Sequence, residues 1–172
     1  FDILGGLQNL IPYQNNLLLN LTTAGLIIFG GLGFLVILDI LKKRSFRALA
    51  LHSKVVIVMS AVLILLGTLL LKATENVTWL GAFFQSVSAR TAGFSTYPIG
   101  SFTDAGLFVL ILLMFVGASP GSTGGGIKTT TLFALLQATR SAATGRMPTA
   151  FRRTVAGEVV QKAFIVTLLS AF

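Results

Sequence analysis

From Asp104 to Arg140 the chain reads DAGLFVLILLMFVGASPGSTGGGIKTTTLFALLQATR. As one helix these 37 residues would be ~55 Å long, nearly twice what a ~30 Å hydrocarbon core needs. The middle interrupts it. Gly117-Ala-Ser-Pro-Gly-Ser-Thr-Gly-Gly-Gly126 carries five glycines and one proline in ten positions, which costs roughly 8 kcal/mol relative to alanine in a helix. Irregular backbone at membrane depth is tolerated only where protein or a water-filled cavity satisfies its N–H and C=O groups. This segment is therefore expected to break the helix 104–140 and to line a pore.

The composition around it agrees. Of 172 residues, 54% are hydrophobic and 10% charged, and the mean hydropathy is +0.88; this describes an all-α integral membrane protein rather than a soluble enzyme. The absence of cysteine excludes a disulfide framework, a thiolate metal site and a Cys nucleophile, and a single histidine excludes a multi-His metal site. No catalytic residue and no cofactor is expected. The net charge of +8 comes from 13 Lys and Arg in short clusters between apolar runs, the pattern of the positive-inside rule, so a lipid bilayer and not a nucleic acid is the expected partner.

Outward toward the N-terminus, Leu17 to Leu41 is long enough for a membrane helix, with no charge before Asp39. Lys42, Lys43, Arg44, Arg47 and Lys54, with His52, make 42–54 a cytoplasmic basic loop. Val55–Leu71 reads as a second spanning helix, which places 72–78 outside. Trp79–Arg90, ~18 Å as a helix, is too short to span and reads as a re-entrant pore helix. A second basic loop, 141–154, holds Arg146, Arg152 and Arg153, and a further apolar helix begins at Val155. Asp39 and Asp104 fall near helix ends, where interfacial solvation, and N-capping for Asp104, are expected; His52 is expected in the loop. The chain starts at Phe1 without Met and stops inside an apolar run, so a larger parent protein is expected. A faint repeat at offset 93 sets Gly31 and Gly33 against Gly124 and Gly126.

Two motifs carry chemistry. Thr91-Ala92-Gly93-Phe94-Ser95 follows the short helix as an extended loop whose carbonyls suit a selectivity filter, because a dehydrated cation needs a ring of oxygens. The pentapeptide alone equally suits a polar turn; the helix before it and its outside placement favour the filter. In Gly121-Ser-Thr-Gly-Gly-Gly-Ile-Lys-Thr129, Ile127 separates Gly126 from Lys128, which breaks the Walker A spacing and argues against a membrane NTPase. A flexible gate is the functional reading and a passive kink the plain one. Lys128, ionisable at membrane depth, is expected to pair with an acid elsewhere, repel cations or snorkel. Arg90 is expected to support the filter through carbonyl hydrogen bonds.

Phe83-Phe-Gln-Ser-Val-Ser-Ala-Arg-Thr-Ala-Gly-Phe-Ser-Thr96 and Gly117-Ala-Ser-Pro-Gly-Ser-Thr-Gly-Gly-Gly-Ile-Lys-Thr-Thr-Thr131 resemble the third repeat of the Trk/Ktr/HKT potassium transporters, most of all the bacterial Ktr membrane subunit. The resemblance makes 1–41 the helix closing the second repeat, 55–140 the third repeat and 155–172 the start of the fourth. It implies four repeats of helix, pore helix and helix around one central pore. It also implies a homodimer of the membrane subunit on a cytosolic, nucleotide-binding regulatory ring, in the bacterial plasma membrane. By resemblance Thr91, Ala92, Gly93, Phe94 and Ser95 are one quarter of the filter, with potassium on the carbonyls of Thr91, Ala92 and Gly93. The gating loop is then Gly117, Ala118, Ser119, Pro120, Gly121, Ser122, Thr123, Gly124, Gly125 and Gly126, with Lys128.

The expected function is potassium translocation, sodium-dependent or not, gated by that loop. The alternative is an ion-coupled secondary transporter of another solute, since broken helices also build substrate sites.

Overall fold

The computed structural model describes residues 8–90, 92–145, 149–150, 153–154 and 157–171. Seven α-helices follow in order: α1 (Leu17–Leu32), α2 (Phe34–Lys43), α3 (Leu51–Thr74), α4 (Trp79–Ala89), α5 (Asp104–Phe115), α6 (Thr129–Thr144) and α7 (Gly157–Ala171). Between α6 and α7 lies a two-residue antiparallel pair, Thr149–Ala150 with Arg153–Thr154. Phe1, Thr91, Arg146, Arg152 and Val155 lie outside the described residues.

Helix α3 is the axis of the packing. At 24 residues it is ~36 Å long, and among the described residues it alone is both long and apolar enough to cross a membrane unbroken. It packs against α4, α5 and α6, while α1 lies on α4 and α7 on α6. Leu71 joins Val77, Ala82, Phe102, Val109, Leu110 and Leu113 in one core, and Ile64, two turns earlier, joins Leu10, Ala24, Phe84 and Val87 in another. Helix α4 stands between them, turning Ala82 to the first and Phe84 and Val87 to the second. Gly67 allows the close approach: a Cβ there would lie 2.4 Å from Ser86 Oγ and 2.8 Å from Leu113 Cδ1. Large apolar side chains on the outer faces, such as Leu65, Leu69, Phe108 and Ile111, remain exposed, an arrangement suited to lipid or to further protein rather than to water.

The run Leu17–Leu41, read from sequence as one helix, is two. Gly33, at φ +84°, ends α1 and starts α2, and the axes meet at 96°. A positive φ is easily accessible only to glycine, and a run of apolar residues does not disclose it. Helix α3 begins at Leu51 rather than Val55, so His52 belongs to its first turn and not to the loop. Asp104 does not cap α5. Thr103 does, accepting from Gly106 N at 3.2 Å, and Glu75 at the end of α3 in turn accepts from Thr103 N (2.9 Å) and Oγ1 (2.6 Å). Asp39 is also more than a solvated end: its carboxylate accepts from Ala50 N (2.8 Å) and Ser53 Oγ (2.7 Å) and pairs with Lys43 (2.8 Å), joining α2 to the start of α3.

Candidate functional site

The first part of the site is α4 and the backbone after it. Thr78 caps α4 through Gly81 N (3.1 Å) and meets the Tyr97 hydroxyl at 3.2 Å, so the chain before α4 is tied to Tyr97 beyond it. At 11 residues, ~16 Å, α4 is too short to span a bilayer. Its last turn is buried and polar, and those polar groups shape residues 92–97. Ser88 O accepts from both Ala92 N (3.0 Å) and Gly93 N (3.3 Å), and Ser88 Oγ donates to Phe94 O (2.5 Å). Gln85 Nε2 donates to Ser95 Oγ (2.7 Å), which donates onward to Tyr97 O (2.5 Å). Gly93 takes φ +82° at the turn.

The carbonyls of this segment have different fates. Phe94 O is taken by Ser88, and Ser95 O by Leu10 N at 3.0 Å. Among the described residues Gly93 O accepts only the Asn9 side-chain amide, at 3.3 Å, and Ala92 O accepts nothing. Thr91 lies outside the described residues. Ser95 is buried, and its side chain works as a brace between Gln85 and Tyr97. Asn9, Gln85, Ser88 and Tyr97 were not singled out by the sequence; a polar residue on an otherwise apolar short helix, as at Gln85 and Ser88, was the available sign.

The second part is the glycine segment between α5 and α6, none of which is helical. Its ends lie side by side: Val116 and Ile127 form a parallel bridge, with Ile127 N donating to Phe115 O at 3.1 Å. Gly117 and Gly125 touch so closely that a Cβ on Gly117 would lie 1.7 Å from Gly125 O. Ser119 is fully buried; its carbonyl accepts from Ser122 N (3.2 Å) and Oγ (2.6 Å), and its hydroxyl accepts from Thr129 Oγ1 (3.3 Å). Lys128 Nζ donates to Gly124 O at 2.5 Å. The α1–α2 bend completes the set, with Ser119 N donating to Gly31 O (3.1 Å) and Phe34 N to Gly121 O (3.2 Å).

A cavity of about 300 Å³ joins the two parts. Arg90, Ala92 and Phe94 line it from the end of α4 and the backbone after it, Ala118, Thr123 and Gly124 from the glycine segment, and Leu26, Ile27, Gly30 and Gly31 from α1. On the far side of Ala92 and Phe94 a cavity of about 470 Å³ is walled by Gln85, Ser88, Leu110 and Met114. Arg90 is 9% exposed, and among the described residues its Nε has no hydrogen-bond partner. Among the described residues no group of three His, Asp or Glu side chains stands together.

Residues 49–172 match the TrkH family, described as a cation transport protein. The chain belongs to this family. The match covers α3 through α7, and so both the segment after α4 and the glycine segment of this TrkH-family chain. Among its relatives, Ktr system potassium uptake protein B of Vibrio alginolyticus is 37% identical over 95% of this chain and 39% of that protein. The protein of the same name from Bacillus subtilis is 33% identical over 96% and 40%. Potassium/sodium uptake protein NtpJ of Enterococcus hirae is 37% identical over 98% and 40%. The chain thus spans about two fifths of the length of these relatives, and within the superfamily it is Ktr-like. The crystal structure of the potassium transporter TrkH from Vibrio parahaemolyticus shares its fold, with a TM-score of 0.64 at 24% identity, over 84% of this chain and 35% of that one.

Proposed function

We propose that this chain is part of the potassium-conducting pore of a Ktr-type uptake protein. The backbone after α4 serves as one quarter of the selectivity filter, and Gly117–Gly126 as a gate beneath it. The observation that carries this reading is the 300 Å³ cavity that has the filter segment on one wall and the glycine segment on the other. An ion shedding water needs oxygens already in place, since a filter that must reorganise does not compensate the lost hydration. Ser88, Gln85 and Ser95 hold the segment in that state, leaving the Ala92 carbonyl without a protein partner among the described residues and Gly93 O with one long contact. Thr91 contributes the third carbonyl on this reading. Ions move by exchange between carbonyl sites, with no covalent step.

In the gate, the Lys128 ammonium occupies the carbonyl oxygen of Gly124, a residue of the cavity wall, and so takes up an oxygen that would otherwise attract a cation. The glycines let the segment rearrange without side-chain clashes. The full pore would comprise four repeats of helix, pore helix and helix, with the helix 104–140 broken in the third. It would work as a homodimer on a cytosolic nucleotide-binding ring in the bacterial plasma membrane. The name of the Enterococcus relative joins sodium to potassium, and sodium dependence is the corresponding proposal here.

The test is potassium uptake at low external concentration by cells lacking their own uptake systems, expressing the full-length parent with and without Gly93→Asp. Rescue by the parent, lost or broadened to sodium in the variant, is the expected result; no rescue by a well-expressed parent would move the assignment to an ion-coupled transporter of another solute.

A further inference from the structure

The bend between α1 and α2 is built as the complement of the glycine segment. In a continuous helix Phe34 N–H would donate to Gly30 O, and Gly31 O would accept from Leu35 N. At φ +84° Gly33 breaks both bonds, and among the groups released are the Phe34 donor and the Gly31 acceptor. The glycine segment takes up both: Phe34 N donates to Gly121 O at 3.2 Å, and Gly31 O accepts from Ser119 N at 3.1 Å. The fit is close, since a Cβ on Gly33 would stand 2.7 Å from Pro120 O. Helix α2 is held at its other end as well, by Asp39 on Ala50 N and Ser53 Oγ.

We propose that the Phe34 amide and the Gly31 carbonyl form a latch that positions the gate. In the bent state the two breaks satisfy one another. Were α1 and α2 to straighten, Phe34 N–H and Gly31 O would recover helical partners, and Ser119 N and Gly121 O would be freed toward the pore and its water. The latch is thus an exchange of hydrogen bonds in which Phe34 N–H and Gly31 O keep a partner in both states, so that these two backbone groups are not stranded by the switch. The proposal rests on reading Gly117–Gly126 as the gate.

Proline at position 34 tests it. Phe34 is the first residue of α2, a place where proline is well accommodated, and Gly33 at ψ 147° already has the extended ψ that a following proline requires. The Phe34 side chain is 66% exposed, so losing the ring alters little packing. In the full-length parent, Phe34→Pro removes the donor, whereas Phe34→Ala keeps it. Phe34→Pro is expected to raise the maximal rate of potassium uptake roughly 2- to 10-fold at equal surface abundance, the range set by one net hydrogen bond, with KM for potassium unchanged. Phe34→Ala should keep the parent's regulated rate. With part of 117–126 deleted, Phe34→Pro should add nothing. A Phe34→Pro rate equal to that of Phe34→Ala, or a Phe34→Pro effect that persists in the deletion, overturns the latch. A deletion that by itself leaves flux unchanged overturns the gate reading beneath it. Should Phe34→Pro fail to reach the membrane, Gly33→Ala, which drives a Cβ against Pro120 O, replaces it, and an unchanged rate at normal abundance again overturns the latch.

Discussion

At the scale of single residues, the site depends on which backbone oxygens are spoken for. Ser88 places one hydroxyl on Phe94 O and one carbonyl under two amides, so Ser88→Ala should loosen the segment while leaving α4 intact. The loss of that hydrogen bond is expected to cost ~1 kcal/mol and to appear as a reduced potassium-over-sodium preference in competition uptake. At Gly93 an aspartate would have to adopt φ +82°, a strain of roughly 1–2 kcal/mol, and would add a charge beside the open carbonyls. Gly93 could be singled out in the sequence only with the short helix before it and its outside placement, since the pentapeptide alone equally suits a polar turn. The contact of Asn9 with Gly93 O could not, since it joins residues 84 apart. Arg90 drew attention by its charge, and it stands buried on the wall of the 300 Å³ cavity with Ala92 and Phe94.

At the scale of elements, the chain is a set of helices whose breaks and contacts are set by glycine. Gly67 lets α3 approach Ser86 of α4 and Leu113 of α5, so Gly67→Val should overpack the junction and destabilise by ~1–3 kcal/mol, read as a lower unfolding temperature in detergent. Shortening the 117–126 segment is expected to raise potassium flux, and unaltered flux would return it to a passive kink. Asp39→Asn should weaken the joint between α2 and α3 by removing the ion pair with Lys43 and the charge behind two hydrogen bonds. It is expected to increase amide hydrogen exchange at Ala50 and Ser53 without changing the filter's selectivity. The break after Phe115 was legible because ten positions hold five glycines and a proline. The break at Gly33 was less so: Gly30-Gly-Leu-Gly33 was visible only as a faint echo of Gly124–Gly126. Gly33 and Gly126, paired by that echo, both adopt positive φ, 84° and 70°.

At the scale of the whole molecule, the outer faces of α1, α3 and α5 are apolar and exposed, and the chain spans about two fifths of its relatives' length. The remaining repeats and lipid are the natural cover for those faces on the proposed architecture. The topology makes a direct prediction. In the full-length parent freed of other cysteines, Phe46→Cys in the basic loop should react with a membrane-impermeant maleimide only after permeabilisation. Asn76→Cys, at the other end of α3, should react from outside in intact cells. Both positions are exposed, and the reverse labelling pattern would invert the topology.

The sequence by itself determined membrane character, the positions of the short helix and the glycine break, and the family, because composition, run length and glycine content act locally. Only the tertiary structure decided where the freed backbone groups go. The 96° bend, its two bonds to the glycine segment, the brace from Gln85 to Ser95 and the open Ala92 carbonyl all depend on partners distant in the chain. A local pattern shows that a hydrogen bond is lost from a helix, and only the fold shows which group replaces it.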